Sequence, residues 1–239
     1  MNETTGRRNL LITGAAGALG GALAIACARR GAQVLLIDRD LRGLEATCDR
    51  VEATGGPGPG YAQLDLALAG PDQVQGLVSD FRGAYGPLHG LVHAAARFHA
   101  LQPLDQVSPE EWLTTLQVNL NASWLLSLAC LPDLRSQPGS ALVFTLDGEA
   151  TARAYWGPYG VSKSGLRGLA LMFAEELEGT ACRVFGVETG PMRSALRAIA
   201  YHSEHPAAVP DGSAAAGYIA DLVFGASAHG LVLCEVPKS

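Results

Sequence analysis

Short apolar runs recur along the chain with helical patterns between them. NLLIT (9–13), QVLLID (33–38), GYAQLD (60–65), GLVHAA (90–95), SALVFTL (140–146) and CRVFGVE (182–188) read as strands, and HGLVLCEV (229–236) predicts a seventh. Apolar residues fall at helical spacing most clearly from Pro109 to Leu131 and from Gly157 to Glu178. TGGPGPG (54–60) reads as a turn or loop. This alternation of strand and helix predicts an α/β protein with a parallel sheet. No internal repeat or shift of composition marks a boundary, so residues 1–239 read as one domain, of which residues 1–8 form a flexible amino terminus. The segment from Pro191 to Asp211, rich in Pro, Arg and His, reads as a long loop or broken helix beyond a strand's carboxyl end, where open α/β sheets bind ligands.

Composition narrows the choice of partners. Apolar residues make up 48% and charged residues 17% of the chain, enough to fill a sizeable core. A net charge of -6 with no cluster of Lys and Arg argues against nucleic acid as a partner. Cys27, Cys48, Cys130, Cys182 and Cys234 lack the spacing of a metal site, so no metal is expected, and they read as buried thiols in a reducing compartment. No run reaches the ~20 apolar residues of a membrane span, and MNETTGRRN lacks the apolar core of a signal peptide, which gives a cytoplasmic expectation with no membrane partner.

Candidate chemistry begins at LLITGAAGALG. Gly14, Gly17 and Gly20 follow a strand and open a helix, the arrangement that lets backbone N–H groups approach a pyrophosphate. The next strand ends in Asp38, about 24 residues after Gly14, where a carboxylate can accept hydrogen bonds from an adenosine ribose. A carboxylate there opposes a 2'-phosphate, so NAD is expected rather than NADP, with Arg39 as the residue that would favour the phosphate. Asp65, closing the third run, is placed to accept from an adenine amino group or to cap a turn.

The ordered set TGAAGALG, Asp38, Asp65, HAAA (93–96), Asn119 in QVNLN and Tyr159 with Lys163 in YGVSK resembles the classical short-chain dehydrogenase/reductase family over nearly the whole chain. That resemblance implies a Rossmann-type three-layer sandwich around a sheet of about seven strands. It also implies hydride exchange between a nicotinamide cofactor and a small or medium alcohol or ketone. Tyr159 would be the general acid/base, Lys163 would hold the nicotinamide ribose and lower the tyrosine pKa, and Asn119 would position a proton path. Helices 109–131 and 157–178 resemble those through which family members form homodimers or homotetramers.

The departures from the family pattern set the remaining expectations. Ala18 stands where the glycine motif has glycine, His93 opens an HAAA in place of NNAG, and Thr189-Gly190-Pro191 follows the sixth strand, with Ser194 as a candidate cofactor contact. The serine that normally holds the substrate oxygen is missing. Counting back from Tyr159 places Leu146 there, anchoring on the strand places Asp147, and Thr145 is the nearest hydroxyl. The expectation is an oxidoreductase of impaired activity, with a cofactor-binding regulatory or partner subunit as the alternative. Arg97, Arg193 and Arg197 could meet an acidic substrate or pair with local carboxylates, while Glu149, Tyr155 and Trp156 could wall the pocket or pack the loop.

Overall fold

The computed structural model describes residues 7–225 and the backbone of residues 231–235. Seven strands, β1 (Asn9–Thr13), β2 (Gln33–Asp38), β3 (Gly60–Gln63), β4 (Gly90–His93), β5 (Ala141–Leu146), β6 (Arg183–Glu188) and β7 (Leu231–Glu235), form one sheet in the order β3-β2-β1-β4-β5-β6-β7. Every neighbouring pair is parallel. Among the described residues eight helices accompany them: α1 (Ala18–Ala28), α2 (Leu41–Glu52), α3 (Pro71–Tyr85), α4 (Pro109–Leu116), α5 (Ala122–Ser136), α6 (Gly157–Glu176), α7 (Ala195–Ala200) and α8 (Ser213–Phe224).

The strand period of two divides the core into layers. Leu11, Leu35, Leu91, Leu142, Phe144 and Leu146 face one side and pack with α3, α5 and α6. Leu10, Ile12, Val34, Leu36, Val92 and Val143 face the other and pack with α1, α2 and α8. Both faces are buried, which is why the strands read as unbroken apolar runs rather than as alternating ones.

The helix expected over 109–131 continues to Ser136, interrupted by one π-type turn at Gln117–Asn121. Pro132 does not end it, because the turn that follows is anchored from outside. Asp133 Oδ2 accepts from Leu88 N at 2.9 Å and from Arg82 Nε at 3.0 Å. The expected break in the 191–211 segment is found as the short α7 and a single 3-10 turn at Pro206–Ala208.

The amino-terminal expectation needs correcting at its edge, and residues 1–6 lie outside the described residues. Arg8 is fixed: its Nη1 donates to Gly139 O at 3.3 Å and Val223 O at 2.5 Å. Arg183, at the start of β6, donates to the carbonyls of Gly139, Leu222, Val223 and Gly225 at 2.8–2.9 Å. Two guanidinium groups thus meet the carbonyl end of α8, where the helix dipole favours cations.

Gly14 ends β1 at φ 68°, and a Cβ there would lie 2.7 Å from the Ala95 backbone. Gly14→Ala is expected to cost at least about 2 kcal/mol in urea unfolding, through the left-handed backbone and the clash together. By contrast, Gly76 lies exposed on α3 with open space around its Cα, so Gly76→Ala should gain about 0.5 to 1 kcal/mol in the same measurement.

Candidate active site

The sheet order reverses between β1 and β4, and a crevice of about 1020 Å³ opens at their carboxyl ends. Thr13 holds this parting: its Oγ1 accepts from Ala94 N and Ala95 N, each at 3.1 Å. Gly17 caps α1 without a side-chain bond, and a Cβ on Gly20 would strike Gly14 O, so the helix start presses directly against the turn. Uncapped N–H groups at the start of α1 therefore meet the crevice, a donor set that fits a pyrophosphate. Ala18 is exposed on the first turn of α1 and lines the crevice.

Asp38, Arg39 and Asp65 line the same end. Asp38 has both carboxylate oxygens engaged by backbone, Oδ2 by Ala16 N at 3.0 Å and Oδ1 by Asp40 N at 3.1 Å. Asp65 Oδ1 accepts from Ala67 N at 2.9 Å, which makes it a turn residue that also borders the crevice.

At the other end, α6 carries Tyr159 and Lys163 one turn apart, 4% exposed each. Lys163 Nζ donates to Thr145 O at 2.9 Å and stands 5.6 Å from the Tyr159 ring centre. The Tyr159 hydroxyl donates to Asp147 Oδ2 at 3.0 Å. Asp147, just past the end of β5, occupies the place opposite the tyrosine. Leu146 is 2% exposed and packs in the core beside α6, so the register counted from Tyr159 does not place it at the tyrosine hydroxyl. Thr145 Oγ1 donates to His93 O at 2.7 Å and is committed to the sheet.

Electrostatics at this end differ from the expectation that Lys163 would lower the tyrosine. Burial, then the Asp147 charge and its hydrogen bond, hold the Tyr159 hydroxyl well above its ordinary 10.0. Burial lowers Lys163 to about 8, against the opposing pull of Asp147 and Glu188. Glu188 Oε2 accepts from Gly148 N at 2.5 Å and Oε1 faces Arg167 at 3.4 Å.

Asn119 is fully buried in the π-type turn and does not border the crevice. Its Oδ1 accepts from Arg97 N at 2.7 Å and its Nδ2 donates to Arg97 O at 2.9 Å and Ser162 Oγ at 3.0 Å, which splices the segment after β4 to α6. His93 stacks on Phe144 and shares a 2.9 Å contact with Ser127 Oγ, and burial lowers it to about 3. Because Ser127 donates to Ser123 O, the proton in that contact belongs to His93 Nε2.

Two of the three candidate arginines are paired with carboxylates. Arg97 pairs with Glu111 at 2.6 Å, and Arg197 holds Glu204 through two bonds of 2.6 and 2.8 Å while covering the Tyr201 ring. Arg193 Nη2 lies 3.4 Å from Val209 O. Trp156 tucks between Phe98, Tyr159 and Tyr201, and the loop above it holds Ala152 and Tyr155 at φ 56° and 73°. Sequence reasoning gave no sign of this aromatic wall beyond Trp156, because Phe98 and Tyr201 come from distant segments. Cys27, Cys48, Cys130 and Cys182 are buried free thiols, and the side chain of Cys234 lies outside the described residues.

Residues 8–204 match the model of the family described as short chain dehydrogenase. The chain belongs to that family. Among its relatives, an oxidoreductase of Escherichia coli named YciK is 32% identical over 200 residues, covering 83% of this chain and 79% of its own. A short chain dehydrogenase of Shigella flexneri, solved in complex with NADP, superimposes with a TM-score of 0.91 at 28% identity and covers 95% of each chain. Another from Escherichia coli, solved with NADPH, gives a TM-score of 0.91 at 29% identity over 97% of each chain.

These two complexes overturn the expectation of NAD over NADP. The geometry supplies the reason. Asp38 spends its carboxylate on two backbone N–H groups of the turn, so it is a weaker repellent of a 2'-phosphate than its place in the sequence suggests, and Arg39 borders the crevice beside it.

Lys163 yields a prediction whose sign can be worked out. Below pH of about 8 it is charged in both folded and unfolded chain, and burial of that charge costs stability. Between about 8 and 10.5 only the unfolded chain holds the proton, so raising pH favours the native state. Urea unfolding across this window should show a contribution that rises with pH and is lost in Lys163→Met.

Proposed function

We propose that the protein is an NADP(H)-dependent oxidoreductase of small molecules, with Tyr159 as its acid/base. The observation that carries this reading is the pairing of Tyr159 and Lys163, both buried on one face of α6 and both bordering a crevice that starts at an open helix amino terminus. The relative's name and the ligands of the two solved neighbours point the same way.

When bound, the cofactor supplies or accepts a hydride. Gly14, Gly17 and Gly20 allow the start of α1 to reach the pyrophosphate, Arg39 meets the 2'-phosphate, Asp38 keeps the turn and faces the ribose, and Asp65 borders the adenine. Lys163 holds the nicotinamide ribose, and Asn119 acts from beneath by fixing the backbone of Arg97. Tyr159 exchanges a proton with the substrate, drawn from alcohols and carbonyl compounds in the first instance. With Asp147 in place of a neutral hydroxyl, turnover of such compounds is slow, since loss of one such donor costs about 100-fold to 1,000-fold. No feature of the crevice favours a regulatory subunit without activity.

NADPH is expected to bind more tightly than NADH by calorimetry, and Arg39→Ala should weaken NADPH at least about tenfold while leaving NADH nearly unchanged. Tyr159→Phe should lower turnover in an alcohol and ketone screen by at least about 100-fold without affecting cofactor binding. Equal loss of both cofactors on Arg39→Ala would remove that residue from phosphate recognition.

A homodimer or homotetramer is part of the same proposal. Leu113, Trp124, Leu128, Leu171 and Met172 stand exposed on α4, α5 and α6, an apolar face that a second copy would cover. Sedimentation at micromolar concentration should show a species heavier than the monomer, and Trp124→Glu should shift it toward monomer.

A further inference from the structure

We propose that the reacting centre is built for a carbon–nitrogen bond, a small secondary amine and its iminium, with Asp147 as the catalytic carboxylate that faces the cation. The inference rests on the oxidoreductase reading above and names the substrate class of the same site.

Asp147 is a fixed part of the centre. One oxygen receives the Tyr159 hydroxyl at 3.0 Å and the other receives Ala150 N at 3.2 Å, so the carboxylate is aimed from both sides. Reduction of a carbonyl gathers negative charge on oxygen beside the tyrosine. A carboxylate at that point opposes it, where a neutral hydroxyl would help.

The surrounding charges do not repair this. Lys163 is a buried cation, but the charges of Asp147 and Glu188 both act on it, and Arg167, the other cation at this edge, is paired with Glu188 at 3.4 Å, so two cations stand against two carboxylates. Arg197 at the rim is spent on Glu204, and Arg97 on Glu111. An oxyanion thus meets a centre without surplus positive charge. A cation meets Asp147 directly, with Glu149 bordering the same crevice.

Proton chemistry agrees. A tyrosine held well above 10.0 is a weak acid toward either acceptor, and an imine nitrogen, far more basic than a carbonyl oxygen and stabilised as an iminium by Asp147, demands the less of it. In the reduction, the imine nitrogen takes a proton from Tyr159 and becomes an iminium beside Asp147. Hydride from a reduced nicotinamide adds to the carbon, the π pair becomes the nitrogen lone pair, and Tyr159 recovers its proton from water. In sum, an imine, one proton and a reduced nicotinamide give an amine and an oxidised nicotinamide.

Matched probes test this with the full chain. Pyrrolidine and cyclopentanol are titrated by calorimetry into the protein saturated with NADP, and NADPH-dependent reduction of methylpyrroline is compared with that of methylcyclopentanone. Asp147→Asn keeps the acceptor for Ala150 N and removes the charge. Expected are tighter binding of pyrrolidine than of cyclopentanol and a kcat/KM ratio favouring the imine by at least about 100-fold, both falling at least about tenfold in Asp147→Asn. Asp147→Ser should raise ketone reduction while lowering imine reduction.

Cyclopentanol binding as tightly as pyrrolidine, or a ratio unmoved by Asp147→Asn, overturns the inference. Ketone turnover that exceeds imine turnover and needs Tyr159 overturns it while leaving the oxidoreductase reading intact. Failure of either dinucleotide to bind removes both.

Discussion

The parting of the chain between β1 and β4 is held by one hydroxyl. Thr13 Oγ1 takes the two N–H groups that follow β4, and this lets the strands diverge without leaving buried donors unpaired. Everything at the nucleotide end depends on that divergence. Gly14 can turn at positive φ and let the Ala95 backbone lie close against it only because it has no Cβ, and α1 can begin in the gap only because Gly20 brings no side chain. The crevice is thus a product of backbone geometry, with side chains added at its borders.

At the opposite end the same sheet delivers charges rather than space. β5 ends at Leu146 and β6 at Glu188, so two neighbouring parallel strands bring Asp147 and Glu188 to one edge, facing α6. Lys163 reaches that edge from the helix and is fixed on a strand carbonyl. In a buried setting the balance of these groups decides which charge a reacting atom can carry, and the balance shifts by a whole unit when the residue at 147 is a carboxylate instead of a hydroxyl.

The strands were legible because both sheet faces are covered, and continuous burial writes continuous apolar runs. All seven expected runs contain a strand, and the first six are trimmed by at most two residues at one end. The helix past Pro132 was not legible, since its last turn is kept by Arg82 and Leu88, which lie far off in sequence. The partner of Tyr159 could not be chosen by counting either. The loop from 147 to 156 bends through Ala152 and Tyr155 at positive φ, and such a loop has no fixed length to count through. Asp38 was placed correctly at its strand end, but the two N–H groups that engage it became visible only once the turn was folded. Gly14, Gly17, Gly20, Asp38, Asp65, Tyr159 and Lys163 all border one crevice, whereas Asn119 lies beneath it.

The arginine clamp on α8 has a mechanical consequence. Arg8 and Arg183 grip the helix by its last carbonyls, on the amino-end side of the sheet, while Ala214 and Ala215 at the first turn form part of the crevice border. The helix is therefore pinned at both ends, by the two guanidinium groups at its last carbonyls and by the packing of its first turn on the start of α1, so its position along the sheet sets the height of that border.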